Sequence, residues 1–480
     1  MWRPVLMING FIMLIMGVMM TLPAAALYYF SGKPDYVFIQ SAVIAVFLGG
    51  ALFLANFGKI EKISILEGYL ITVSCWFVTP LVAALPFLFN HSFEGVYDAV
   101  FEATAGVTAT GATVLKDVEA EPKSVLLWRA MLNGLGGVGI VIFAVALSPF
   151  LGTGGMHLFN KENSDTEEKF LPKIRYIAND IILVYILLNL CCAGLLKAAG
   201  MNWFDALCFA LATLSTGGMT IKNASIGFYD SELIEGVVFI FMILGALPFS
   251  YYVLVFKKRS LEVVTGNPQI NGFLKFLFTF ILFFSCCYML EKGVSFPEAV
   301  RVVGFNLTAA VTTTGMYSSD YLSWGPWAAV VFLILFLTGG CTGSTTGSIK
   351  IFRWQVVAAF LKKHSIKAVS PNQVAVMKTG NKVIDDTIAA SVFALILAFL
   401  AAIVFFTLVL CLSGLDFLTA FGAVVGNITG AGSGFNEAVG PNGNFAAFSP
   451  FVKYVLSFVM VLGRLEVITV LVLFFKIRFK

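Results

Sequence analysis

Ten long apolar segments constrain this chain more than any other feature of its sequence. About 20 consecutive apolar residues span the hydrocarbon core of a bilayer. The segments lie at residues 8–30, 38–57, 65–90, 125–150, 180–199, 233–256, 272–290, 326–360, 386–413 and 450–475. Because 59% of the 480 residues are hydrophobic and only 12% are charged, a soluble core could not hide this much apolar surface. The sequence therefore predicts an all-α polytopic membrane protein with ten transmembrane spans.

The first of these segments is assigned as a helix rather than a cleaved leader. It is longer than the apolar core of a signal peptide, lacks the usual small-residue cleavage site, and is closely followed by a second apolar segment.

The placement of charge predicts the orientation of these spans. Basic residues cluster at 257–259, at 362–382 and at the C-terminus, whereas the loops between carry mainly acids. Cytoplasmic loops of membrane proteins are enriched in Lys and Arg. The basic clusters and both termini are therefore predicted to be cytoplasmic, which fits an even number of spans.

Four shorter segments repeat one pattern between the long apolar ones. Each has an acid near an aromatic residue, then a stretch too short to cross a bilayer, then Thr-Gly; the acids are Asp98, Asp205, Glu298 and Asp416. The glycines of the Thr-Gly pairs recur 106, 98 and 115 residues apart. One Thr-Gly pair carries no information, but four in the same context indicate four tandem helix–pore loop–helix repeats in a pseudo-fourfold arrangement, with two extra N-terminal helices.

The physics of a membrane interior predicts what these four segments do. Backbone at membrane depth must be helical unless it is buried in protein or lines water, so a short helix followed by Thr-Gly indicates a re-entrant loop. Its carbonyl oxygens could replace the water around a cation, and glycine permits the backbone angles that aim them inward. The alternative is four glycines that cap helices at ordinary bends. The predicted selectivity-filter residues, which would bind K⁺, are Ala109, Thr110, Gly111, Ser215, Thr216, Gly217, Thr313, Thr314, Gly315, Ile428, Thr429 and Gly430, with Gly432 as an alternative to Gly430.

These filters and the two extra helices resemble the bacterial Trk/Ktr/HKT superfamily of K⁺ transporters, on its TrkH branch. The resemblance covers essentially the whole chain. It implies gated K⁺ uptake across the bacterial inner membrane, a homodimer with one pore per subunit, and a cytosolic TrkA-like nucleotide-binding regulatory subunit. It also implies that K⁺ at the filter is the only metal, that the chain binds no cofactor or nucleic acid, and that it is not an enzyme.

The repeats and the resemblance together divide the chain into five parts. They are an N-terminal two-helix domain (1–62) and pore repeats at 63–155, 156–262, 263–380 and 381–480.

The eighth apolar segment is interrupted by a run of small and polar residues. The run comprises Gly339, Gly340, Cys341, Thr342, Gly343, Ser344, Thr345, Thr346 and Gly347, and continues to Ser348 and Lys350. Such residues make a poor helix, and non-helical backbone at this depth must line a cavity. The family has an intramembrane gating loop in this place, so residues 339–348 are predicted to form a gate beneath the filter. A plain helix kink is the alternative.

An arginine lies within the last apolar segment, in the sequence Gly463-Arg464-Leu465-Glu466. An arginine at membrane depth normally faces a polar cavity or a partner. The family carries an arginine in this motif, so Arg464 is predicted to belong to the gate, with Lys350 and Glu466 as further candidates. The alternative is a structural salt bridge, with Glu466 or with a neighbouring helix.

Two other motifs have simpler explanations. Residues 134–139 fit the Gly-x-Gly-x-x-Gly nucleotide fingerprint, but they follow no strand and lie inside an apolar segment, so close helix packing explains them better. Residues 161–175 form a mixed-charge linker that is either solvated or docks a cytosolic partner.

The alternative function is a K⁺ symporter that couples to H⁺ or Na⁺ by alternating access. Such carriers usually contain inverted repeats with broken helices in two halves. The four repeats here run in the same sense, which favours a channel-like pore. No cluster of catalytic residues supports an enzyme.

Overall fold

The structure, a computed structural model, describes residues 2–58, 64–90, 92–151, 170–260, 262–380 and 382–477. Residues 161–169 of the predicted linker lie outside them. The described chain is almost wholly helical. Its helices are α1 Trp2–Ser31, α2 Tyr36–Ala55, α3 Ile65–Ala83, α4 Leu85–Leu88, α5 Val96–Val107, α6 Lys123–Leu151, α7 Phe170–Ala198, α8 Trp203–Leu214, α9 Glu232–Ala246, α10 Phe249–Lys258, α11 Glu262–Thr265, α12 Pro268–Lys292, α13 Phe296–Val311, α14 Pro326–Leu337, α15 Ile351–Val369, α16 Asp386–Leu412, α17 Phe417–Thr429, α18 Pro450–Arg464 and α19 Val467–Ile477.

Four two-residue strands interrupt this pattern. Strand β1 (Thr338–Gly339) pairs in parallel with β2 (Ile349–Lys350), in the register Thr338 to Ile349. Strand β3 (Lys378–Thr379) forms an antiparallel hairpin with β4 (Lys382–Val383). The first pair closes the non-helical segment that was predicted between α14 and α15.

Seven helices in the described part of the chain are long and apolar enough to cross a membrane, or eight spans if the bent pair α9–α10 is counted. Three of the ten predicted segments therefore do not form one continuous span, whereas segment 65–90 contains α3 and the short α4 but still counts as one span. The segment 326–360 breaks at 338–350, as predicted. The breaks in the other two segments were not predicted, and the total of ten spans stays a prediction.

Each unpredicted break has a local cause. Helices α9 and α10 meet at an angle of 91° at Leu247-Pro248, where Leu247 has the extended ψ of 156°. The residue before a proline is disfavoured in helical geometry, so Pro248 ends the helix. Helix α18 ends at Arg464, and Glu466 has a left-handed φ of 59° before α19 begins.

The two N-terminal helices form an antiparallel hairpin that packs against α3 and α6. Asp35 caps α2 by accepting a hydrogen bond from the N–H of Phe38 at 3.2 Å. The helices cross at small residues: a Cβ added to Gly49 would lie 2.7 Å from the backbone nitrogen of Leu14.

The four short helices α5, α8, α13 and α17 are largely buried and pack in a cyclic order. Each contacts the helix that follows it, namely α6, α9, α14 and α18 respectively. Each also contacts the corresponding helix of the preceding unit: α5 packs on α18, α8 on α6, α13 on α9 and α17 on α14. This order brings the four carboxyl ends of the short helices together.

Substitution of Gly49 tests the packing of the N-terminal hairpin. Gly49→Ala should destabilise the protein by about 1–3 kcal/mol, because the added Cβ overpacks the helix crossing. Gly50→Ala is the control, since its Cβ would meet only the Leu14 side chain at 3.6 Å. Because alanine favours the helix more than glycine does, Gly50→Ala should stabilise the protein by up to about 1 kcal/mol. Thermal unfolding in detergent measures both, and equal midpoints for the two variants would contradict the close crossing.

Candidate ion pathway

The acids at the start of the short helices act in two ways. Asp416 caps α17 by accepting a hydrogen bond from the N–H of Thr419 at 3.0 Å. Asp98, Asp205 and Glu298 instead lie in the first turn of their helices. There a negative charge is stabilised by the positive end of the helix dipole. Asp416 is therefore a side-chain cap, while the other three acids lie inside the first turn of the helix.

The carboxyl ends of the four short helices share one hydrogen-bond pattern. Two consecutive N–H groups after each helix donate to a single carbonyl oxygen in the last turn. The pairs are Thr110 and Gly111 to Ala105 (2.9 and 3.5 Å), Gly217 and Gly218 to Ala212 (3.0 and 3.2 Å), Thr314 and Gly315 to Ala309 (2.8 and 3.2 Å), and Ala431 and Gly432 to Gly426 (2.9 and 2.9 Å). These bonds use the N–H groups of each loop and do not use its carbonyl oxygens.

The backbone angles repeat in the same register. The first residue of each loop has positive φ: 50° at Ala109, 51° at Thr216, 54° at Thr313 and 80° at Gly430. The third residue is a glycine with positive φ: 82° at Gly111, 69° at Gly218, 71° at Gly315 and 72° at Gly432. The four loops therefore have one shared conformation, over residues 109–111, 216–218, 313–315 and 430–432; these segments are called the four loops below.

This register differs from the sequence alignment in two loops. In the second, the residue equivalent to Gly111 is Gly218, so Ser215, Thr216 and Gly217 were aligned one residue too early. In the fourth, it is Gly432, the alternative named above, and Ile428 and Thr429 are the last two residues of helix α17. The Thr-Gly pair is a poor marker because positive φ at the third position, not the threonine, fixes the loop.

The third glycines bring neighbouring loops into contact around a closed ring. A Cβ added to Gly111 would collide with the carbonyl oxygen of Gly217, and one on Gly218 with that of Thr314. The series continues in order from Gly315 to Ala431 and from Gly432 back to Thr110. Side chains are therefore excluded at all four positions, and each loop presents a carbonyl oxygen next to the glycine of its neighbour.

A cavity opens on the side of the ring formed by the third glycines. It is lined by Gly111, Gly218, Gly315 and Gly432 and by residues that follow them. Two lysines also line it, each near an acid: Lys222 lies 3.2 Å from Glu119, and Lys116 lies 3.6 Å from Glu94.

Asn223 joins the chain that follows the first loop to the chain that follows the second, beside this cavity. Its side-chain oxygen accepts from the N–H of Val118 at 2.8 Å, and its side-chain nitrogen donates to Asp117 at 2.7 Å. The second hydrogen bond lowers the pKa of the Asp117 carboxyl below its ordinary value, so Asp117 stays charged in neutral and mildly acidic solution.

The predicted gating segment lies against the opposite side of the ring. The Thr345 hydroxyl donates to the carbonyl oxygens of Leu214 and Gly245, both at 3.0 Å. The N–H of Gly347 donates to the hydroxyl of Thr313, the first residue of the third loop, at 2.8 Å. A Cβ on Gly347 would collide with the carbonyl oxygen of Thr429. The segment thus contacts the ends of three of the four short helices.

The same segment also joins the broken helix α9–α10. The N–H of Cys341 donates to the carbonyl oxygen of Ala246 at 2.9 Å, and the N–H of Phe249 donates to that of Gly343 at 3.0 Å. Backbone groups freed by the break at Pro248 therefore bond to the backbone of the gating segment.

Arg464 is almost fully buried and bonds the segment from below. Its guanidinium donates to the carbonyl oxygen of Thr345 at 2.9 Å and to that of Gly136 in α6 at 3.4 Å. Lys350 donates to the hydroxyl of Thr346 at 2.8 Å. Glu466 pairs with Arg353 rather than with Arg464. The simple Arg464–Glu466 salt bridge considered from sequence is therefore not formed.

The glycine motif at 134–139 lies inside α6, where close packing was predicted. A Cβ on Gly136 would collide with the carbonyl oxygen of Val107, and one on Gly137 would lie 2.7 Å from Ser215. The packing interpretation is confirmed, and the motif places α6 against the ends of two short helices.

Two buried ion pairs beside the short helices were not predicted. Glu102 lies 2.7 Å from Arg129, with side chains 0% and 2% exposed, and Asp98 lies 2.6 Å from Lys453. The signal for them was present, because Arg129 and Lys453 are charged residues within apolar segments.

Comparison with known proteins identifies close structural and sequence relatives. A family model described as TrkH, a cation transport protein, matches residues 35–478. The Trk system potassium uptake protein TrkI of Halomonas elongata is 32% identical, over 98% of this chain and 96% of that protein. TrkH of Escherichia coli K12 is 31% identical over 98% of both chains. The crystal structure of the potassium transporter TrkH from Vibrio parahaemolyticus superimposes with a TM-score of 0.91, at 27% identity and 98% coverage of both chains.

The two glycines of the fourth loop test the structural register. Gly432→Ala should lower the K⁺/Na⁺ permeability ratio of the reconstituted protein by about tenfold or more, since overpacking by one methyl costs about 1–3 kcal/mol. Gly430→Ala is the matched control. Its Cβ would meet only the Cα of Gly347 at 3.8 Å, and alanine or threonine already occupies this position in the other loops. A larger loss of selectivity in Gly430→Ala than in Gly432→Ala would show that the register is wrong.

Proposed function

Because the chain belongs to the TrkH family of cation transport proteins, we propose that it is a gated, channel-like K⁺ uptake pore of the bacterial inner membrane. The similarity to Trk system potassium uptake proteins supports K⁺ uptake across a membrane. The observation that carries the finer proposal is the ring of four loops, closed by glycines in contact with neighbouring carbonyl oxygens. The cavity on one side and the gating segment on the other suit the two ends of an ion path.

In this proposal, the carbonyl oxygens of the four loops replace the hydration shell of K⁺. The loop N–H groups bond back to their helices, so the carbonyl oxygens are available to the ion. The carboxyl ends of the short helices add negative dipole ends near the same point. Only three residues per loop share the conformation, so fewer carbonyl rings form than in a Thr-Val-Gly-Tyr-Gly filter, and discrimination against Na⁺ should be modest.

Residues 339–348 act as the gate in the same proposal, with Arg464 as its latch. The segment lies under the first residues of the ring, and its bonds to Thr313, Leu214 and Gly245 are ones that an opening movement must break. Arg464 adds a fixed positive charge beside the path. Lys350, just after the segment, bonds Thr346 within it. The Arg353–Glu466 pair joins α15, which follows the segment, to the break between α18 and α19.

The remaining features are proposed on the basis of the family and of charge. They are a homodimer, both termini in the cytoplasm, and control by a TrkA-like nucleotide-binding subunit that moves the gate. The basic residues Lys257, Lys258 and Lys363 belong to the charge clusters that place this side in the cytoplasm.

Recordings from planar bilayers test the function. A channel-like pore should give unitary currents and, under bi-ionic conditions, reversal potentials that rank K⁺ and Rb⁺ above Na⁺ and Li⁺. Reversal potentials that follow a H⁺ or Na⁺ gradient, without unitary currents, would support the coupled symporter instead.

Substitution of Arg464 tests the gate. Two unit charges about 4 Å apart interact by about 4 kcal/mol at an effective dielectric near 20. Even partial loss of this repulsion between the guanidinium and a passing cation should raise the flux about tenfold in Arg464→Ala. The ranking of ions should change little. If the positive charge restrains the flux, Arg464→Lys should keep most of that restraint. If the two hydrogen bonds of the guanidinium restrain it, Arg464→Lys should lose the restraint.

The measurement is ⁸⁶Rb⁺ uptake into proteoliposomes at equal protein content. Arg301→Ala is the control. Arg301 pairs with Glu232 at 3.2 Å, and none of its described bonds involves the gating segment. Flux in folded Arg464→Ala at or below that of the control would leave Arg464 with a structural role only.

A further inference from the structure

We propose that two buried clamps on the outer side of the ring hold the four loops in pairs and so set the K⁺ over Na⁺ discrimination. The first clamp consists of Glu102 and Arg129 and joins loops one and two. The second consists of Asn306 and Tyr321 and joins loops three and four. All four are positioning residues, since none of them belongs to a loop. The inference rests on the proposed function of the ring as the selectivity filter.

In the first clamp, Glu102 holds the chain that leaves its own loop. Its carboxylate accepts from the N–H of Val114 at 2.9 Å and from the hydroxyl of Thr113 at 3.0 Å. These residues lie three and two positions after Gly111. Glu102 is fully buried, so its charge is balanced by Arg129 at 2.7 Å rather than by water.

Arg129 extends this clamp to the second loop. While its Nε bonds Glu102, a second guanidinium nitrogen donates to the carbonyl oxygen of Thr220 at 2.8 Å. Thr220 lies two positions after Gly218. The planar guanidinium therefore fixes the distance between the chains that leave loops one and two.

The second clamp uses two neutral groups, of which Asn306 lies at the position equivalent to Glu102 and Tyr321 lies in the chain that leaves loop three. Asn306 lies nine residues before Gly315, as Glu102 does before Gly111, and its side-chain oxygen accepts from the N–H of Ser318 at 3.3 Å. Ser318 lies three positions after Gly315, as Val114 does after Gly111. The hydroxyl of Tyr321 then donates to the carbonyl oxygen of Gly434 at 2.8 Å. Gly434 lies two positions after Gly432, as Thr220 does after Gly218.

Loops two and four offer no such side chain of their own. The residues nine positions before Gly218 and Gly432 are Phe209 and Ala423, which cannot accept a hydrogen bond. Each of these loops is instead held by a donor from the preceding unit.

The clamps therefore differ: a charged one joins loops one and two, and a neutral one joins loops three and four. The other two pairs of neighbouring loops are joined without a clamp. The Tyr317 hydroxyl donates to the carbonyl oxygen of Asn223 at 2.7 Å, and the N–H of Phe445 donates to that of Thr113 at 2.9 Å.

The clamps matter for selectivity because neighbouring loops are in contact around the ring. Carbonyl oxygens discriminate between ions by their number and spacing, and packed interiors shift between discrete arrangements rather than stretching. Loss of a clamp should let two loops adopt other spacings, including ones that suit Na⁺, so that discrimination between K⁺ and Na⁺ falls.

Two conservative variants test the clamps. Arg129→Lys keeps the charge but loses the planar fork that bonds Glu102 and Thr220 together. Tyr321→Phe removes only the hydroxyl, which bonds the carbonyl oxygen of Gly434 and the hydroxyl of Ser433. The matched controls are Arg301→Lys and Tyr229→Phe, which alter bonds near the starts of short helices: Arg301 pairs with Glu232, and the Tyr229 hydroxyl donates to Asp205 at 2.6 Å.

The readout is the K⁺/Na⁺ permeability ratio from bi-ionic reversal potentials, with Rb⁺ flux as a separate measure. Each clamp variant should lower the ratio by about threefold to tenfold, the factor expected for one buried hydrogen bond, while both controls keep the wild-type ratio. If Arg129→Lys does not fold, Tyr321→Phe decides. Folded variants with reduced flux but the ratio of the controls would overturn the clamps. A wild-type protein with no preference for K⁺ would instead overturn the proposed filter.

Discussion

The bonds between the loop N–H groups and the short helices are the constraint on which the rest of this structure depends. Backbone at membrane depth must have all its polar groups satisfied, and a loop there would ordinarily use its carbonyl oxygens as well as its N–H groups. Here one carbonyl oxygen of each helix, such as that of Ala105 or Ala309, takes two loop N–H groups. The chain can then turn at a glycine with positive φ, and these bonds leave the carbonyl oxygens of the loop unused. The ring, the cavity and the contacts of the gating segment all follow from this local geometry.

The same constraint accounts for the contacts of the proposed gate. Breaks at Pro248 and at residues 338–350 free backbone groups, and a third break lies beside Glu466. Those groups and Arg464 bond to one another: Cys341 to Ala246, and Arg464 to Thr345. This arrangement is stable only while the freed groups of each broken helix remain bonded to those of the others. Movement of one helix must therefore disturb the others, which is how a signal from the proposed cytoplasmic subunit would reach the ring.

Much of this arrangement could be predicted from the sequence, and the failures have physical causes. Four short segments and the break at 338–350 were visible because composition alone forbids a long helix there. The register of the second and fourth loops was not, since Thr-Gly was taken as the marker while a left-handed glycine, Gly218 or Gly432, fixes the turn. The bend at Pro248 had a clear signal in the proline, and the break at Glu466 had none. The pair Glu102–Arg129 joins residues 27 positions apart, and only the packing of α5 on α6 shows that the two charges neutralise each other.

Ion positions in a crystal test the central claim most directly. Crystals grown in Rb⁺ should show anomalous density on the axis of the ring, within coordination distance of carbonyl oxygens from all four loops, between the cavity and the gating segment. Rb⁺ density confined to the cavity beside Lys116 and Lys222, or bound by fewer than four loops, would contradict the assignment of these carbonyl oxygens as the filter.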